Sequence, residues 1–265
     1  MKIKSLLIGM LASIALVGCT NNEELPLADA LADDMVKLEV AVNLEGTADS
    51  RLVSDGTGAN TLMYAVFEKG DVEPLIKRRI ENNVTGLVGA GHNVSISLLK
   101  GKTYQLVFWA QNDACKAYTV SDDMKLSIDY SKLTNNQESS DAFFGIKEVT
   151  VTSSTSVDVI LKRPFAQVNV GVYKVDLDKA IEDYNLDITR SKATIKNVAK
   201  GLDLLTGNVT DVQDNVTFNF GDILTSESLV VDMDKNGSVE VYQWISMTYV
   251  LASSEYTAHD MVFEF

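Results

Sequence analysis

The segment Asp232-Met233-Asp234-Lys235-Asn236-Gly237 carries side-chain oxygens at alternate positions and a glycine at the sixth. Alternating oxygen ligands followed by a sharp glycine turn form the first half of a common calcium-binding loop. The twelfth position of such a loop is a bidentate Glu, whereas this chain has Gln243 there, and the flanking residues have the pattern of strands. A calcium site and a solvated hairpin turn are the two interpretations. The missing carboxylate favours the turn, so we predict no metal site.

Other residue types that support catalysis are scattered. The two histidines, His92 and His259, each lie beside a predicted turn or strand end, which is typical of surface residues. The sequence contains no serine nucleophile elbow, phosphate-binding glycine loop or paired-cysteine metal site. One of the two cysteines, Cys115, is expected to be a small buried apolar residue. We therefore expect a protein that is not an enzyme and that uses no cofactor.

The other cysteine, Cys19, follows an N-terminal export signal. Lys2 and Lys4 precede an apolar stretch that is too short for a membrane-spanning helix. The stretch ends in Leu16-Val17-Gly18-Cys19, which resembles a bacterial lipobox, where cleavage precedes the cysteine and its sulfur receives the lipid.

This resemblance implies a signal peptide over residues 1–18, a lipidated Cys19 and a tether over residues 19–35. The alternative is an ordinary signal peptide with a chance cysteine. Acidic residues just after the cysteine resemble the surface-export signal of Bacteroides-type lipoproteins.

The charge balance disfavours one class of partner. The chain has 37 acidic and 23 basic side chains and a formal charge of −14 at pH 7. A nucleic-acid-binding face needs clustered lysines and arginines, so we expect no nucleic-acid partner.

The clearest strand pattern lies near the N-terminus of the mature chain, at residues 36–44. Its residues alternate with a period of two, which is typical of a half-buried strand. The apolar set is Val36, Leu38, Val40, Val42 and Leu44. A polar, glycine-containing segment follows and ends at Arg51. Taken alone, this pattern predicts the first strand of a β-sandwich.

Further short segments of alternating or apolar residues, separated by turns at fairly even spacing, favour a sandwich fold. The segment 104–110 carries large apolar groups on both faces, which indicates a central strand. Pro164 cannot donate to a central ladder and suits a strand entrance, so Arg163-Pro164 is predicted as a domain boundary.

Two other stretches complete the prediction. Residues 111–142 are polar, and 135–140 are predicted as a loop. Residues 176–184 are predicted as the one short helix, capped by Asp176 or Asp178. The apolar face of this helix consists of Leu177, Ile181 and Tyr184.

A series of motifs resembles one known family. In chain order these motifs are Ser50-Arg51, Ser54-Asp55-Gly56-Thr57, Leu62-Met63-Tyr64-Ala65-Val66, Phe108-Trp109-Ala110-Gln111, Asp141-Ala142-Phe143-Phe144-Gly145, Leu161-Lys162-Arg163-Pro164-Phe165-Ala166-Gln167-Val168-Asn169 and Trp244-Ile245-Ser246-Met247-Thr248-Tyr249-Val250-Leu251-Ala252. The series is similar to the fimbrillin-like lipoproteins of Bacteroides-type bacteria, which include the subunits of type V pili. The match covers most of the chain from residue 36 onward, and the segment 161–169 is its most specific motif.

The resemblance implies an all-β fold of two tandem transthyretin-like β-sandwich domains, with one short helix in the second. The N-terminal sandwich is then expected over 36–164, with a removable first strand, and the C-terminal sandwich over 165–265. Further strands are expected after Phe265 in this family. The alternatives are a C-terminal sandwich that is incomplete in this sequence, an accessory or tip subunit, and a relative that does not polymerise.

The resemblance also implies a mechanism of assembly. In several members an Arg-specific protease cuts after the first strand, and a strand from another subunit fills the exposed groove. Arg51 matches the cleavage site, and the apolar set of 36–44 matches the exchanged face. The expected function is a structural subunit, accessory protein or tip adhesin of a cell-surface fimbria, built by donor-strand exchange.

The expected partners are other pilus subunits, an Arg-specific protease, the outer membrane through the lipid, and a ligand on a host or bacterial surface. The expected location is the outer membrane and cell surface for the lipid-anchored precursor, and the fimbrium after processing. The alternative function is a monomeric surface lipoprotein that binds a glycan or a host protein. Tyr242 and Trp244 are either sandwich core or part of such a carbohydrate-binding face.

Overall fold

The computed structural model describes residues 34–45, 55–225, 228–232, 234–251 and 259–265. Within these residues the chain forms sixteen strands, β1 to β16, and one α-helix, α1. No helix in this part of the chain combines the length and the apolar character needed to cross a membrane.

The first half forms two sheets that pack face to face. One sheet has the strand order β4-β1-β9, and the other has the order β3-β2-β5-β8. The bounds of these strands are β1 Met35–Leu44, β2 Thr61–Glu68, β3 Ile76–Asn82, β4 His92–Leu99, β5 Thr103–Gln111, β8 Ala142–Thr150 and β9 Thr155–Leu161. We call the apolar core between the two sheets the first core, and all of its buried members lie within residues 36–161.

The strand β5 is buried on both faces, as its sequence predicts. Leu106 and Phe108 face the first core, whereas Val107 and Trp109 face a second core on the other side of the sheet. All four side chains have no exposed surface. A strand covered on both faces needs apolar residues at consecutive positions, which is why the alternation is lost here.

The second half contributes two more sheets. One has the order β10-β15-β14, and the other is built around β11, which pairs with β12, β13, β16 and β7. The bounds are β6 Tyr118–Val120, β7 Lys125–Ile128, β10 Phe165–Tyr173, β11 Arg190–Asp203, β12 Asn208–Thr217, β13 Gly221–Asp222, β14 Ser228–Val231, β15 Glu240–Leu251 and β16 Met261–Glu264.

A segment of the first half lies inside the second half. The stretch 111–142 contains β6 and β7, and β7 pairs with both β6 and β11. Leu126 of β7 lies opposite Leu202 of β11, 76 positions later in the chain. The predicted loop at 135–140 is also more than a surface loop. The side chains of Asn135 and Asn136 are 1% and 7% exposed, and both donate to Ser191 Oγ, at 2.7 and 3.0 Å.

The predicted boundary at Pro164 marks the entrance to β10, but the sheets do not divide there. The second core draws on both halves, from Phe67 and Trp109 to Phe218 and Tyr249. At the junction, the ring of Phe165 stacks on Tyr118 with a centroid separation of 5.3 Å. Hydrogen bonds and apolar packing thus both cross residue 164. The division of the chain into two domains at this residue stays a prediction.

The helix α1 spans Lys174–Tyr184 and differs from its prediction in two respects. Its N-cap is Tyr173, without a capping side chain, so the predicted cap at Asp176 or Asp178 is wrong. Leu177 is buried, but Ile181 and Tyr184 are 46% and 82% exposed. The predicted apolar face therefore packs only at its first turn.

The observed fold is all-β and sandwich-like with one helix in the second half, which confirms the coarse fold class. The finer assignment to two tandem transthyretin-like domains stays a prediction.

Candidate functional site

The strand β1 is the centre of its sheet. It pairs antiparallel with β4 over Met35–Val42 and parallel with β9 over Leu38–Leu44. Within the described residues, neither β4 nor β9 has a ladder with any other strand. The sheet is therefore held together through β1.

The apolar face of β1 is buried along its whole length. Leu38, Val40 and Val42 have no exposed surface, and Val36 and Leu44 at the ends are 8% and 7% exposed. All five belong to the first core. Burying a large aliphatic side chain of this kind contributes about 1.5–3 kcal/mol.

The opposite face of β1 is partly exposed, and it carries the charged pair Lys37 and Glu39. Lys37 Nζ lies 2.6 Å from Glu39 Oε1, and Ser95 Oγ of β4 donates to both oxygens of Glu39 at 2.7 Å. The hydrogen bonds from Lys37 and Ser95 lower the pKa of Glu39. An exposed ion pair of this kind adds little stability, so the apolar face holds the strand.

The C-terminal end of β1 is closed by backbone hydrogen bonds. The Leu44 N–H donates to the Leu87 carbonyl and the Glu45 N–H donates to the Leu161 carbonyl, both at 2.8 Å. Lys162 Nζ lies 3.0 Å from Glu45 Oε1 on the surface.

A buried ion pair lies beside this end. Arg163 Nε lies 2.9 Å from both oxygens of Asp141, and Arg163 Nη2 lies 2.8 Å from Oδ2. The two side chains are 17% and 4% exposed. The Arg163 guanidinium also lies 4.8 Å from the centre of the Phe143 ring. A bidentate pair in a dry setting is geometrically specific, and loss of either partner leaves an uncompensated charge.

The loop before β2 contacts the same ring. Gly56 has a φ of +79°, and a Cβ there would lie 2.9 Å from Phe143 Cζ and 3.1 Å from Leu44 Cδ1. The Asp55 carboxylate accepts hydrogen bonds from the Thr57 hydroxyl and N–H at 2.6 and 2.9 Å, which lower its pKa. Only glycine suits this position, because it combines a positive φ with close contacts.

These groups form one cluster, which we call the strand latch: Leu44, Gly56, Asp141, Phe143 and Arg163. Three of the motifs that carry the family resemblance supply its members other than Leu44. The contacts join residues as far apart in the chain as Gly56 and Phe143, so the sequence alone indicates the motifs but not their contact. The latch lies where the chain leaves β1 and where it returns after residue 54.

Two of the predicted site residues lie outside the described residues. These are Cys19, the predicted lipidation site, and Arg51, the predicted cleavage site. Both stay predictions.

The loop with the calcium-like pattern is a hairpin turn, since β14 and β15 pair on either side of it. Asp232 Oδ1 and Oδ2 accept the N–H groups of Asn236 and Gly237 at 3.0 and 2.8 Å. Carboxylate oxygens of Asp232, Asp234 and Glu240 lie within 4.8 Å of one another. These backbone bonds stabilise the turn without an ion, and the absence of a metal site stays a prediction.

The remaining candidates for chemistry are separate. His92 Nε2 lies 2.6 Å from Glu81 Oε2, and His259 Nδ1 lies 3.0 Å from the Lys196 carbonyl oxygen. Tyr242 is half-buried, with its ring centroid 5.8 Å from that of Tyr173.

The chain belongs to a protein family of unknown function, DUF6562, whose model matches residues 33–265. No curated protein sequence matches this chain.

Several solved structures are similar in fold. A putative polysaccharide-binding protein from Bacteroides thetaiotaomicron is 14% identical, with 81% of this chain and 71% of that chain covered and a TM-score of 0.49. The fimbrial anchor protein Mfa2 from Porphyromonas gingivalis is 11% identical, with 86% and 77% covered and a TM-score of 0.47. A putative adhesin from Bacteroides ovatus is 15% identical, with 86% and 72% covered and a TM-score of 0.49. These neighbours include a fimbrial anchor protein and a putative adhesin.

Proposed function

We propose that this protein is a surface adhesin or fimbrial subunit that assembles by exchange of β1. Cleavage after Arg51 separates β1 from the rest of the chain, and a strand from another subunit then replaces it. We also propose that the two halves correspond to two transthyretin-like sandwiches. The partners are other fimbrial subunits and an Arg-specific protease, with a ligand on a host or bacterial surface.

The observation that carries this proposal is the position of β1. It is a central strand whose buried face lies wholly in the first core, and within the described residues it pairs with β4 and β9 alone. Loss of β1 leaves both of these strands with an open edge and uncovers the first core. Open edges and a groove lined by apolar side chains are the features that β-strand addition uses.

The groove also sets the requirements for an incoming strand. Its apolar residues must recur at five alternate positions, because the three central positions are completely buried. A slip of one residue turns the whole apolar set outward, so register is strongly specified.

The anchor and the chemistry follow from the same proposal. The lipid on Cys19 attaches the precursor to the outer membrane, with about 0.8 kcal/mol for each buried CH₂ group. Mass spectrometry of the membrane-extracted protein should show an acylated Cys19, and a Cys19→Ala variant should leave the membrane fraction. We propose no catalytic activity and no cofactor.

Limited digestion with an Arg-specific protease tests the exchange. The expected products are a new N-terminus at Leu52 and oligomers on size analysis. The matched variant Arg51→Ala should stay a folded, lipid-anchored monomer under the same digestion.

Resistance of the Arg51 bond in the unmodified chain would contradict the proposal. So would cleavage that leaves residues 36–44 bound and yields no oligomers. In either case β1 is the first strand of a monomeric surface protein.

A further inference from the structure

A groove on the second half of the molecule plays no part in strand exchange. It has a volume of about 510 Å³ and lies between the segment 127–131, which leaves β7, and the strand β12. Lys200 of β11 and Gln213, Asn215 and Thr217 of β12 complete its lining. Sites for small ligands commonly have volumes of about 300–1,000 Å³.

The accessible lining of this groove combines polar and apolar surface in similar amounts. Ile128, Tyr130 and Val216 are only 3%, 6% and 5% exposed, so most of each side chain lies in the core and a small part borders the groove. The Tyr130 hydroxyl donates to the Ala199 carbonyl at 2.8 Å, and burial raises the pKa of Tyr130, which keeps the phenol neutral. Hydroxyls, amides and two charged groups therefore face the solvent.

Several of these polar groups have unused hydrogen-bonding capacity. Among the described residues, the side chains of Lys200, Gln213 and Asn215 have no hydrogen-bond or ion-pair partner. Each amide side chain offers two donor hydrogens and an acceptor oxygen, and the ammonium of Lys200 offers three donors.

One carboxylate lies beside these donors. Asp129 Oδ1 accepts the Ser131 hydroxyl and N–H at 2.6 and 3.2 Å, and Lys132 Nζ lies 3.2 Å from Oδ2. Hydrogen bonds from Ser131 and then Lys132 lower the pKa of Asp129, so it is ionised at neutral pH. A carboxylate has about four acceptor sites, and capacity therefore remains for hydroxyl groups of a ligand.

The surrounding charge selects among polar ligands. Residues 165–265 carry 16 acidic and 7 basic side chains, which repels polyanions. A ligand with many neutral hydroxyl groups fits both the charge and the donors.

We propose that this groove binds a segment of a neutral glycan. Asp129 accepts hydrogen bonds from the sugar hydroxyls, and Gln213, Asn215 and Lys200 donate to them. The proposal is independent of strand exchange, because none of these residues contributes to β1, its groove or the strand latch.

Calorimetric titration of the full chain with soluble oligomers of glucose, mannose, galactose and N-acetylglucosamine tests this proposal. We expect at least one neutral oligosaccharide to bind, with little dependence on salt. Gln213→Ala and Asn215→Ala should each weaken binding about three- to tenfold, at an unchanged melting temperature. Asn93→Ala, which removes an exposed amide from β4, is the matched control and should bind like the unmodified protein.

Absence of binding across the panel overturns the proposal. Equal affinity of the unmodified protein and the Gln213→Ala/Asn215→Ala double variant also overturns it. Competition at this groove by dextran sulfate or by an extended peptide assigns it to another ligand class. The uncleavable Arg51→Ala monomer should bind the oligosaccharide as well, which separates this test from that of strand exchange.

Discussion

The strands at the centres of the two halves, β1 and β11, are held in opposite ways. β1 lies between two strands that have no other ladder in the described residues, and its buried side chains touch only the first core. β11 pairs with four strands, one of which comes from the first half, and it contributes to the core that both halves share. We therefore expect the second core to survive loss of β1, and loss of β11 to disrupt both halves.

The largest expected effect comes from a charge placed on β1. Val40→Asp puts a carboxylate where no surface is exposed, and an unpaired buried charge should destabilise the first core by about 4–5 kcal/mol or more. In hydrogen exchange we expect β4 and β9 to lose protection while β11, β12 and β15 keep it.

Lys37→Asp, on the exposed face of the same strand, is the control and should leave both regions protected. Loss of protection in β11 in the Val40→Asp variant would show that the two cores unfold together. It would contradict the expected difference between β1 and β11.

The next effect concerns the strand latch. Arg163→Met removes the guanidinium that pairs with the buried Asp141 carboxylate, which should lower the free energy of unfolding by about 3–5 kcal/mol. Lys162→Met removes the neighbouring exposed pair with Glu45 and should change it by less than about 1 kcal/mol. Chemical denaturation measures both values. Equal values for the two variants would show that the strand latch does not stabilise the first half.

A third change acts on the second half. A Cβ at Gly221 would lie 1.8 Å from the carbonyl oxygen of Asn135, so Gly221→Ala must move backbone and should cost about 3 kcal/mol. Gly58→Ala meets only the Asn112 amide, at 3.1 Å, and should be tolerated. The expected loss of protection is in β11 and β13, and a loss confined to β4 and β9 would reverse the comparison.

A smaller effect is expected at Cys115, a member of the second core that is 7% exposed. Burial raises the pKa of its thiol, so the thiolate that reacts with iodoacetamide is scarce at pH 8. Stability gained from the neutral thiol is complete below about pH 8.5, the usual thiol pKa, and is lost as pH rises further. In a Cys19→Ala chain, alkylation should be at least about tenfold slower than in denaturant, with or without Val40→Asp; fast alkylation of the folded chain would contradict this.

We expect no effect of calcium on the melting temperature. The hairpin between β14 and β15 has Gln243 at the position where a complete calcium loop has a bidentate Glu. Thermal melts with and without millimolar calcium should therefore superimpose. A large rise in melting temperature with calcium, abolished by Asp234→Ala, would establish a metal site in the second half.

The pattern of apolar residues along single segments predicted the strands that are fixed by burial of their own faces. The alternation at 36–44 and the doubly apolar segment at 104–110 appear in the structure as β1 and β5, because burial on one or both faces is written directly into consecutive residues. The part of the candidate site formed by β1 could be predicted in the same way, because the apolar residues of β1 alternate within one short segment.

Contacts between distant segments were not predicted. β6 and β7 have three and four residues, too short for a period to stand out in a polar stretch, and β7 is fixed by its pairing with β11. The buried amides of Asn135 and Asn136 resemble loop residues until their partner, Ser191, is known. The pair of Arg163 with Asp141 likewise depends on tertiary structure.

The mixed pairing of β1 has a mechanical consequence. The chain enters β1 at residue 34, on the side that leads to the predicted anchor, and the strand then runs between an antiparallel and a parallel neighbour. Tension on residue 34 along the strand axis loads both ladders in shear, so their hydrogen bonds share the force instead of breaking one after another. Peeling β1 from one end breaks its hydrogen bonds one after another. A competing strand that pairs residue by residue displaces β1 in this way. Under the proposed exchange, the same strand would resist a steady pull and still yield to an incoming strand.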